Sequence, residues 1–384
     1  MKLAFVHDFL VQNGGAERVL LALHDLWPSA PIYTIVHDPD RVDAAFRGRD
    51  IRTSFLQQVP FGVRRYQWFL PWMPSAIERH NLMEYDIVIS SSSAFAKGII
   101  TGPETLHICY CHTPTRYLWT DTHTYIRELT YNWLVKRIVP FLFTNLRLWD
   151  QMTADRVDHF IANSLTVQDR IRKYYKREST VIHPPITIEQ FARGDEGVTR
   201  EDFYCIGGRL VSYKRYDIAI AAFNKLGIPL KIFGTGPEES RLRAHAKSNI
   251  EFCGYVSPEN LRSLYQGARA FLHPQEEDFG LTALEAMASG CPLIAYARGG
   301  ALETVIEGVT GMFFEEQTWE SLADAVLHFE RERYIPQKLH EHVQQFDVVR
   351  FQRRMKEYVE YAWSNFARTL RKPVTKVQAS FITT

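Results

Sequence analysis

QEEDFGLTALEAMASG, residues 275–290, is the stretch that decides the fold of this chain. Residues 281–288 are rich in Leu, Ala, Met and Glu, which are strong helix formers, so a helix is predicted there. Asp278, Gly280 and Thr282 mark the start of this helix, and a glycine follows its end. The apolar segment Cys-Pro-Leu-Ile-Ala comes next and predicts a strand. The stretch therefore predicts the loop, helix and strand of an α/β domain.

Two carboxylates flank the start of this helix, with seven residues between them. Glu277 is predicted in the loop before the helix, and Glu285 is predicted one turn inside it. Between them lie the free amides of the helix N-terminus, which suit a phosphate. We therefore expect each carboxylate to accept hydroxyls of a ligand that carries a sugar on either side of a phosphate.

The alternation of short apolar strands with helices along both halves of the chain predicts doubly wound parallel sheets. At 384 residues the chain exceeds one ordinary core and suits two domains. A polar stretch at 187–201 is interpreted as a linker. The predicted segments are an N-terminal domain at 1–190, a C-terminal domain at 200–346, a helix at about 347–370 and a disordered tail at 371–384. The ligand of two such sheets is expected beyond the carboxyl ends of the strands, in the cleft between the domains.

A basic segment, GGRLVSYKR at 207–215, follows the first predicted strand of the second half. Arg209 offers a planar fork of donors and Lys214 a point charge, and this pair suits a diphosphate. The alternative interpretation is a basic loop that faces water. The segment at 207–215 directly follows the carboxyl end of a strand, and this position favours a phosphate site.

Three further turns follow predicted strands and could approach a ligand. Gly234 begins the turn GTGP, Val256 ends the segment CGYV, and Gly14 and Gly15 lie in NGGAER at 13–18. The last turn does not match G-x-G-x-x-G, and no acidic residue stands out about 20 positions later, which argues against a nicotinamide-dependent oxidoreductase. The alternative for the first two is a plain strand-to-helix turn, and the alternative for the last is a turn that needs glycine geometry.

A third motif, YCHTPTRYLW at 110–119, follows a strand of the first half. His112 and Arg116 are its candidate functional side chains. A histidine directly after a strand can also be an ordinary core residue, so this alternative stays open.

Together these motifs resemble those of the retaining glycosyltransferases of family GT4, which have the GT-B fold of two Rossmann-like domains. The 110–119 segment is similar to that of GT4 mannosyltransferases that assemble bacterial surface polysaccharide, such as O-antigen or exopolysaccharide. The resemblance covers nearly the whole chain and is most specific at 110–119 and 209–310. It also implies that the C-terminal helix crosses back to the first domain. The region at about 50–85, expected to face the acceptor, matches no specific motif.

The resemblance implies a role for each candidate residue. Arg209 and Lys214 would stabilise the leaving diphosphate, Glu285 would hold the ribose, and Glu277 would hold hydroxyls of the donor sugar. His112 would position that sugar or stabilise developing charge, and Arg116 would bind a phosphate or the acceptor. The other expected donor-binding residues are Gly14, Gly15, Gly234, Val256, Gly280, Leu281 and Thr282. No metal or other cofactor is expected, because cationic side chains can replace a metal here.

The resemblance also implies substrates, with GDP-mannose as the favoured donor and a lipid-linked glycan as the favoured acceptor. Two alternatives keep the same fold, namely a nucleotide-sugar epimerase and a non-catalytic partner that binds the donor within an assembly complex. Fold alone does not separate these possibilities.

Composition and charge narrow the class of protein and its surroundings. The formal net charge of +1 gives no global field for nucleic acid, so no nucleic-acid partner is expected. The five cysteines are scattered, which favours reduced thiols in a cytoplasmic protein, and no signal peptide or transmembrane stretch is predicted. Basic-aromatic stretches at 64–73 and 136–143 suit either contact with the inner face of the cell membrane or core helices with snorkelling arginines.

Overall fold

The computed structural model describes residues 2–128, 133–191 and 201–370. Within these ranges the first sheet has seven parallel strands in the order β3-β2-β1-β4-β5-β6-β7. Its strands are β1 (Leu3–His7), β2 (Ile32–Thr34), β3 (Ile51–Thr53), β4 (Ile87–Ser92), β5 (Leu106–Cys111), β6 (His159–Ala162) and β7 (Ser179–Val181). The helices between them are α1 (Gly15–His24), α2 (Met73–Glu78), α3 (Thr122–Glu128), α4 (Trp133–Met152) and α5 (Leu165–Tyr175).

The second sheet has six parallel strands among the described residues, in the order β10-β9-β8-β11-β12-β13. Its strands are β8 (Tyr204–Gly207), β9 (Leu230–Phe233), β10 (Ile250–Gly254), β11 (Phe271–His273), β12 (Leu293–Tyr296) and β13 (Gly311–Phe314). The helices of this half are α6 (Tyr216–Leu226), α7 (Glu239–His245), α8 (Pro258–Gly267), α9 (Leu281–Ala288), α10 (Ala301–Thr304), α11 (Trp319–His328) and α12 (Pro336–Val343). The predicted α/β fold of two doubly wound sheets is confirmed.

The strand order of each sheet reverses at one point, where ligands of doubly wound folds bind. In the first sheet this point lies between β1 and β4, and in the second it lies between β8 and β11. Strands β1, β4 and β5 are buried along their whole length, as the central strands of a parallel sheet must be. A ligand bound at a switch point would therefore contact the loops that follow these central strands.

The last helix, α13 (Val348–Leu370), packs on the first sheet although it follows the second in sequence. Phe351, Met355, Val359 and Ala362 form its buried stripe and join the core that contains β1 and β5. The predicted linker includes residues 192–200, and these lie outside the described residues, as does the predicted tail at 371–384. The domain boundaries stay predictions.

Candidate active site

The centre of the candidate site is an ion pair between Lys214 and Glu277. Lys214 lies in the loop after β8 and Glu277 in the loop after β11, so the switch point of the second sheet brings them together. Lys214 Nζ lies 2.8 Å from Glu277 Oε1, and the two side chains are 10% and 13% exposed. A cation and an anion thus face the cleft side by side.

The two charges of this pair stabilise each other. Burial alone would raise the pKa of the Glu277 carboxyl, but the charge of Lys214 and its hydrogen bond outweigh burial and hold that pKa at about 2. Burial would likewise lower the pKa of Lys214, and the Glu277 carboxylate reverses this, so its pKa lies above the usual value. At neutral pH both groups are charged, and Glu277 is a hydrogen-bond acceptor only.

His273, at the end of β11, supports Glu277 from behind and was missed by the sequence analysis. Its Nε2 lies 3.9 Å from Glu277 Oε2, and its Nδ1 lies 3.1 Å from the side-chain nitrogen Nε2 of Gln275. Burial lowers the pKa of His273 to about 4, so the ring is neutral. The sequence does contain a signal for this residue, because a histidine at the end of a predicted strand comes directly before the acidic loop.

The N-terminus of α9 is left open toward the cleft. Gly280, its N-cap, has φ 96° and supplies no side-chain cap. Asp278 does not cap this helix; its carboxylate instead contacts Arg170 and lies 3.8 Å from Arg116 Nη1. Thr282 Oγ1 is buried and has no hydrogen-bond partner in the part of the chain that the structure describes. The Ala283 amide donates to the Gly280 carbonyl at 3.1 Å, so among the described residues the amides of Leu281 and Thr282 and this hydroxyl are the donors available to an anion.

Gly234, at the end of β9, is where the loops after β8 and β9 touch. A Cβ at Gly234 would lie 1.9 Å from the carbonyl oxygen of Gly208, and its φ of 103° also favours glycine. The contact seats the glycine turn against the segment that carries Arg209 and Lys214. Val256 follows the edge strand β10 and is half-buried against the second core, farther from the Lys214–Glu277 pair in strand order.

Loops of the first domain meet the α9 region across the cleft. Arg209 Nη1 donates to Gln12 Oε1 at 3.0 Å, and a Cβ at Gly15 would lie 3.0 Å from Leu281 Cδ1. The Gly14 amide is not directed at the cleft, because it donates to Glu17 Oε2 at 2.9 Å. These contacts put the NGGAER turn beside the expected phosphate site.

Glu285 has a partner that the sequence did not reveal. Arg18, on α1 of the first domain, forms an ion pair with the buried Glu285 carboxylate on α9. That carboxylate raises the pKa of Arg18. The carboxylate expected to hold the ribose is thus paired with a guanidinium from the opposite domain.

Two other carboxylates of the second domain bind the first domain. Asp278 forms an ion pair with Arg170 on α5. Glu303 accepts hydrogen bonds from the backbone amides of Leu165 at 2.8 Å and Thr166 at 3.1 Å, and so caps the start of α5. The carboxyl ends of the two sheets therefore face each other across a closed cleft.

His112 follows β5 and is buried on the first-domain side. Its Nε2 lies 2.8 Å from Ser91 Oγ, at the end of β4. Burial, with a smaller contribution from His7, lowers the pKa of His112 to about 3, so the ring is neutral. A neutral ring can donate or accept one hydrogen bond at a ligand but carries no charge to it.

The segment after His112 is held by a buried ion pair. Lys97 Nζ lies 2.6 Å from Asp150 Oδ1, and both side chains are almost fully buried. Thr115 Oγ1 donates to this carboxylate at 2.9 Å and Trp119 Nε1 at 2.7 Å. The Thr and Trp of the 110–119 motif thus fix the backbone between them.

Arg116, within this segment, reaches the other domain. Its Nε donates to Asp121 Oδ2 at 2.9 Å, and its guanidinium carbon lies 4.7 Å from the centre of the Tyr213 ring. Tyr213 directly precedes Lys214, so Arg116 of the first domain contacts the basic loop of the second domain.

Across the residues that the structure describes, no three His, Cys, Asp or Glu side chains are grouped so as to hold a metal ion. That no metal or other cofactor is needed stays a prediction.

Two doubly wound sheets with their strand ends facing one cleft define the GT-B class of α/β protein. Residues 13–190 match the family model Glycosyltransferase Family 4, and residues 188–346 match the model Glycosyl transferases group 1. The two models thus match the first and the second half of the chain in turn, and each match covers less than half of the chain.

Individual relatives are similar over part of the chain. The D-inositol 3-phosphate glycosyltransferase of Mycobacterium avium is 29% identical over 201 residues, which are 46% of this chain and 47% of that protein. The mannosylfructose-phosphate synthase of Agrobacterium fabrum is 32% identical over 146 residues, 33% of this chain and 32% of that protein. The chain thus spans less than half the length of these two relatives.

Among solved structures, HepE of Anabaena in complex with UDP-glucose is similar with a TM-score of 0.68 and 18% identity. The similarity covers 94% of this chain and 100% of that chain. At this identity it shows the fold alone.

Proposed function

We propose that the protein is a retaining glycosyltransferase that moves a sugar from a nucleoside diphosphate donor to a glycan. The observation that carries this proposal is the Lys214–Glu277 ion pair beside the open N-terminus of α9. Lys214, Arg209 and the first amides of α9 provide positive charge for a diphosphate, whose negative charge grows as the sugar leaves. The family matches of both halves support the same reaction class.

In this proposal Glu277 and Glu285 bind different parts of the donor. Glu277, held charged by Lys214, accepts hydroxyls of the donor sugar next to the diphosphate. Glu285, one turn inside α9, accepts the ribose hydroxyls after releasing Arg18. His112 is neutral and hydrogen-bonds the sugar from the first-domain side. Retention of configuration rests on the family resemblance.

We propose GDP-mannose as the donor and a lipid-linked glycan at the inner face of the cell membrane as the acceptor. The 110–119 segment supports mannose through its resemblance, and the Agrobacterium relative is named for a mannosyl product. The HepE structure contains UDP-glucose, so UDP-glucose is the donor that most directly competes with this proposal.

The function is tested by incubating the full chain with radiolabelled GDP-mannose, or with radiolabelled UDP-glucose, and a bacterial membrane extract. We expect label from GDP-mannose to move into a lipid-extractable glycan. Conversion of the donor without an acceptor would instead identify an epimerase. Donor binding without any turnover would identify a non-catalytic partner, and transfer from UDP-glucose alone would change the donor.

The proposed membrane contact rests on exposed aromatic side chains of the first domain. Trp68 and Trp72 are 52% and 60% exposed, and the Arg65 guanidinium carbon lies 4.2 Å from the Trp68 ring centre. Phe69 does not share this face, because it packs against the first-domain core. In the second stretch Phe141 is 74% exposed. None of the helices within the described residues is long and apolar enough to cross a bilayer.

We expect Arg64→Glu/Arg65→Glu to release the protein from anionic vesicles while leaving its affinity for GDP unchanged. Each arginine near anionic lipid adds about 1 kcal/mol, and the reversal of two charges adds repulsion. Co-sedimentation with phosphatidylserine vesicles at low and high salt measures this, because salt screens the attraction. Failure of the unmodified protein to sediment with anionic vesicles at low salt would remove the membrane proposal and favour a soluble acceptor.

A further inference from the structure

A cavity of about 270 Å³ lies at the switch point of the first sheet, opposite the donor site. Asp8, directly after β1, and Ser93, directly after β4, both line it. The switch point is where doubly wound sheets bind ligands, and this one faces the cleft through the NGGAER turn. The volume is below that of pockets for drug-sized ligands, which suits a ligand with one small ring.

Asp8 builds the frame of this cavity and is not available to a ligand. Its Oδ2 accepts from the amides of Ser93 at 2.6 Å and Ala94 at 3.0 Å, and its Oδ1 accepts from those of Phe95 at 2.7 Å and Ala96 at 2.6 Å. Four donors occupy the lone pairs of the two oxygens. Asp8 therefore fixes the loop after β4 against β1.

Two buried polar atoms at the cavity wall contact each other as an ion pair but make no hydrogen bond within the described residues. His7 and Glu17 are each 2% exposed and line the cavity. Glu17 Oε2 is taken by the Gly14 amide, but Oε1 lies 3.8 Å from His7 Nε2, which is too far for a hydrogen bond. Within the described residues neither Glu17 Oε1 nor His7 Nε2 makes a hydrogen bond. A carboxylate oxygen and a ring nitrogen are thus available to hydroxyl groups.

The other walls are aromatic. The rings of Phe9 and Tyr66 lie with centroids 4.8 Å apart, and Tyr117 also lines the cavity. Aromatic faces pack well against the C–H face of a pyranose, whose hydroxyls point outward to polar groups. Tyr66 belongs to the region at about 50–85 for which the sequence offered no motif.

The cavity adjoins the donor loops. Gln12 lines it and accepts the hydrogen bond from Arg209, and Arg116 lines it while lying over the Tyr213 ring beside Lys214. His7 Nδ1 lies 3.1 Å from Ser91 Oγ, and the same oxygen contacts His112. A ring held in this cavity would therefore present a hydroxyl toward the donor sugar.

We infer that this cavity binds the terminal sugar of the acceptor and selects an uncharged pyranose, with Glu17 and His7 as hydroxyl ligands. The inference rests on the proposed function, whose acceptor it specifies. A phosphate is disfavoured because the Glu17 carboxylate would face it. Among the described residues that line the cavity, Arg116 is the one arginine or lysine, and Asp121 and Asp278 already engage it. An uncharged acceptor would differ from the D-inositol 3-phosphate for which the Mycobacterium relative is named, because that compound carries a phosphate.

The inference is tested by calorimetry on the full chain, with and without saturating GDP. The titrants are the methyl α-pyranosides of mannose, glucose and galactose, and the 6-phosphate of the mannoside. We expect at least one neutral glycoside to bind and the phosphate to bind at least about tenfold more weakly. Glu17→Gln, which keeps an oxygen for the Gly14 amide, should weaken the neutral glycoside at least about tenfold and leave the GDP affinity unchanged.

Tyr66→Ala should weaken the same glycoside, and Glu104→Gln, an exposed glutamate of the same domain, should not. The inference is overturned if no neutral glycoside binds, if the phosphate binds more tightly, or if Glu17→Gln leaves glycoside affinity unchanged. Absence of binding by GDP or UDP would count against the proposed function instead, and the titrations without nucleotide would still test the cavity.

Discussion

Lys214→Ala is expected to lower sugar transfer by about 100- to 1,000-fold. The ammonium group lies 2.8 Å from Glu277 Oε1 and is proposed to stabilise the diphosphate as its charge grows. Loss of one such contact that strengthens in the transition state costs about 3–4 kcal/mol. Initial rates with the radiolabelled donor, at saturating concentrations of both substrates, measure the effect. Arg209→Ala should also lower transfer strongly.

The two variants should differ in stability. Lys214→Ala leaves the mostly buried Glu277 carboxylate without its cation, and breaking such a pair costs about 3–5 kcal/mol. Arg209 is exposed and donates to Gln12 Oε1, a contact on the surface of the cleft, so Arg209→Ala should leave thermal unfolding nearly unchanged. The double variant Lys214→Ala/Glu277→Gln should regain much of the lost stability without regaining transfer.

Lys338→Ala, an exposed lysine on α12, is the matched control and should behave like the unmodified protein. Turnover near that of the unmodified protein in both Lys214→Ala and Arg209→Ala would remove the proposed diphosphate site. A double variant that regained transfer would show that the loss came from the unpaired Glu277 and not from the missing cation.

The meeting of Lys214 and Glu277 was predictable because each lies in a loop directly after a strand. Carboxyl ends of parallel strands share one edge of a sheet, so two such loops converge once the strands are recognised. The central strands were recognisable because they are continuous apolar runs. Strands β3 and β7 have three partly exposed residues each and were missed, because such segments are too short to show a period.

Contacts between the domains were not predictable from local pattern. Arg18 and Glu285 are 267 positions apart, and only the packing of α1 against α9 brings them together. Asp278 looked like a helix cap because of its position, but Arg170 and Arg116 of the first domain compete for its carboxylate. A charged partner from another domain outweighs a local cap, and no single-sequence rule anticipates it.

Glu285 and Glu277 are proposed to bind different parts of the donor, so their variants should differ in GDP affinity. Glu285→Ala is expected to weaken GDP binding about tenfold or more, because the ribose loses a charged acceptor. Glu277→Ala should leave GDP affinity unchanged or tighten it, since Glu277 contacts only the sugar in this proposal and its loss frees Lys214 for the diphosphate. Transfer should nevertheless fall strongly in Glu277→Ala. Calorimetry with GDP, followed by transfer assays on the same samples, measures both effects.

Arg18→Ala separates the two explanations for a loss of GDP binding in Glu285→Ala. If Glu285 holds the ribose, Arg18 competes with the ribose for its carboxylate, and Arg18→Ala should keep or raise GDP affinity. If the pair matters only because it closes the cleft, Arg18→Ala and Glu285→Ala should weaken GDP equally, and the ribose assignment would be wrong. Equal losses of GDP affinity in Glu277→Ala and Glu285→Ala would refute the division itself. The ion pair between Arg18 and Glu285 thus provides the variant that tests the role of Glu285.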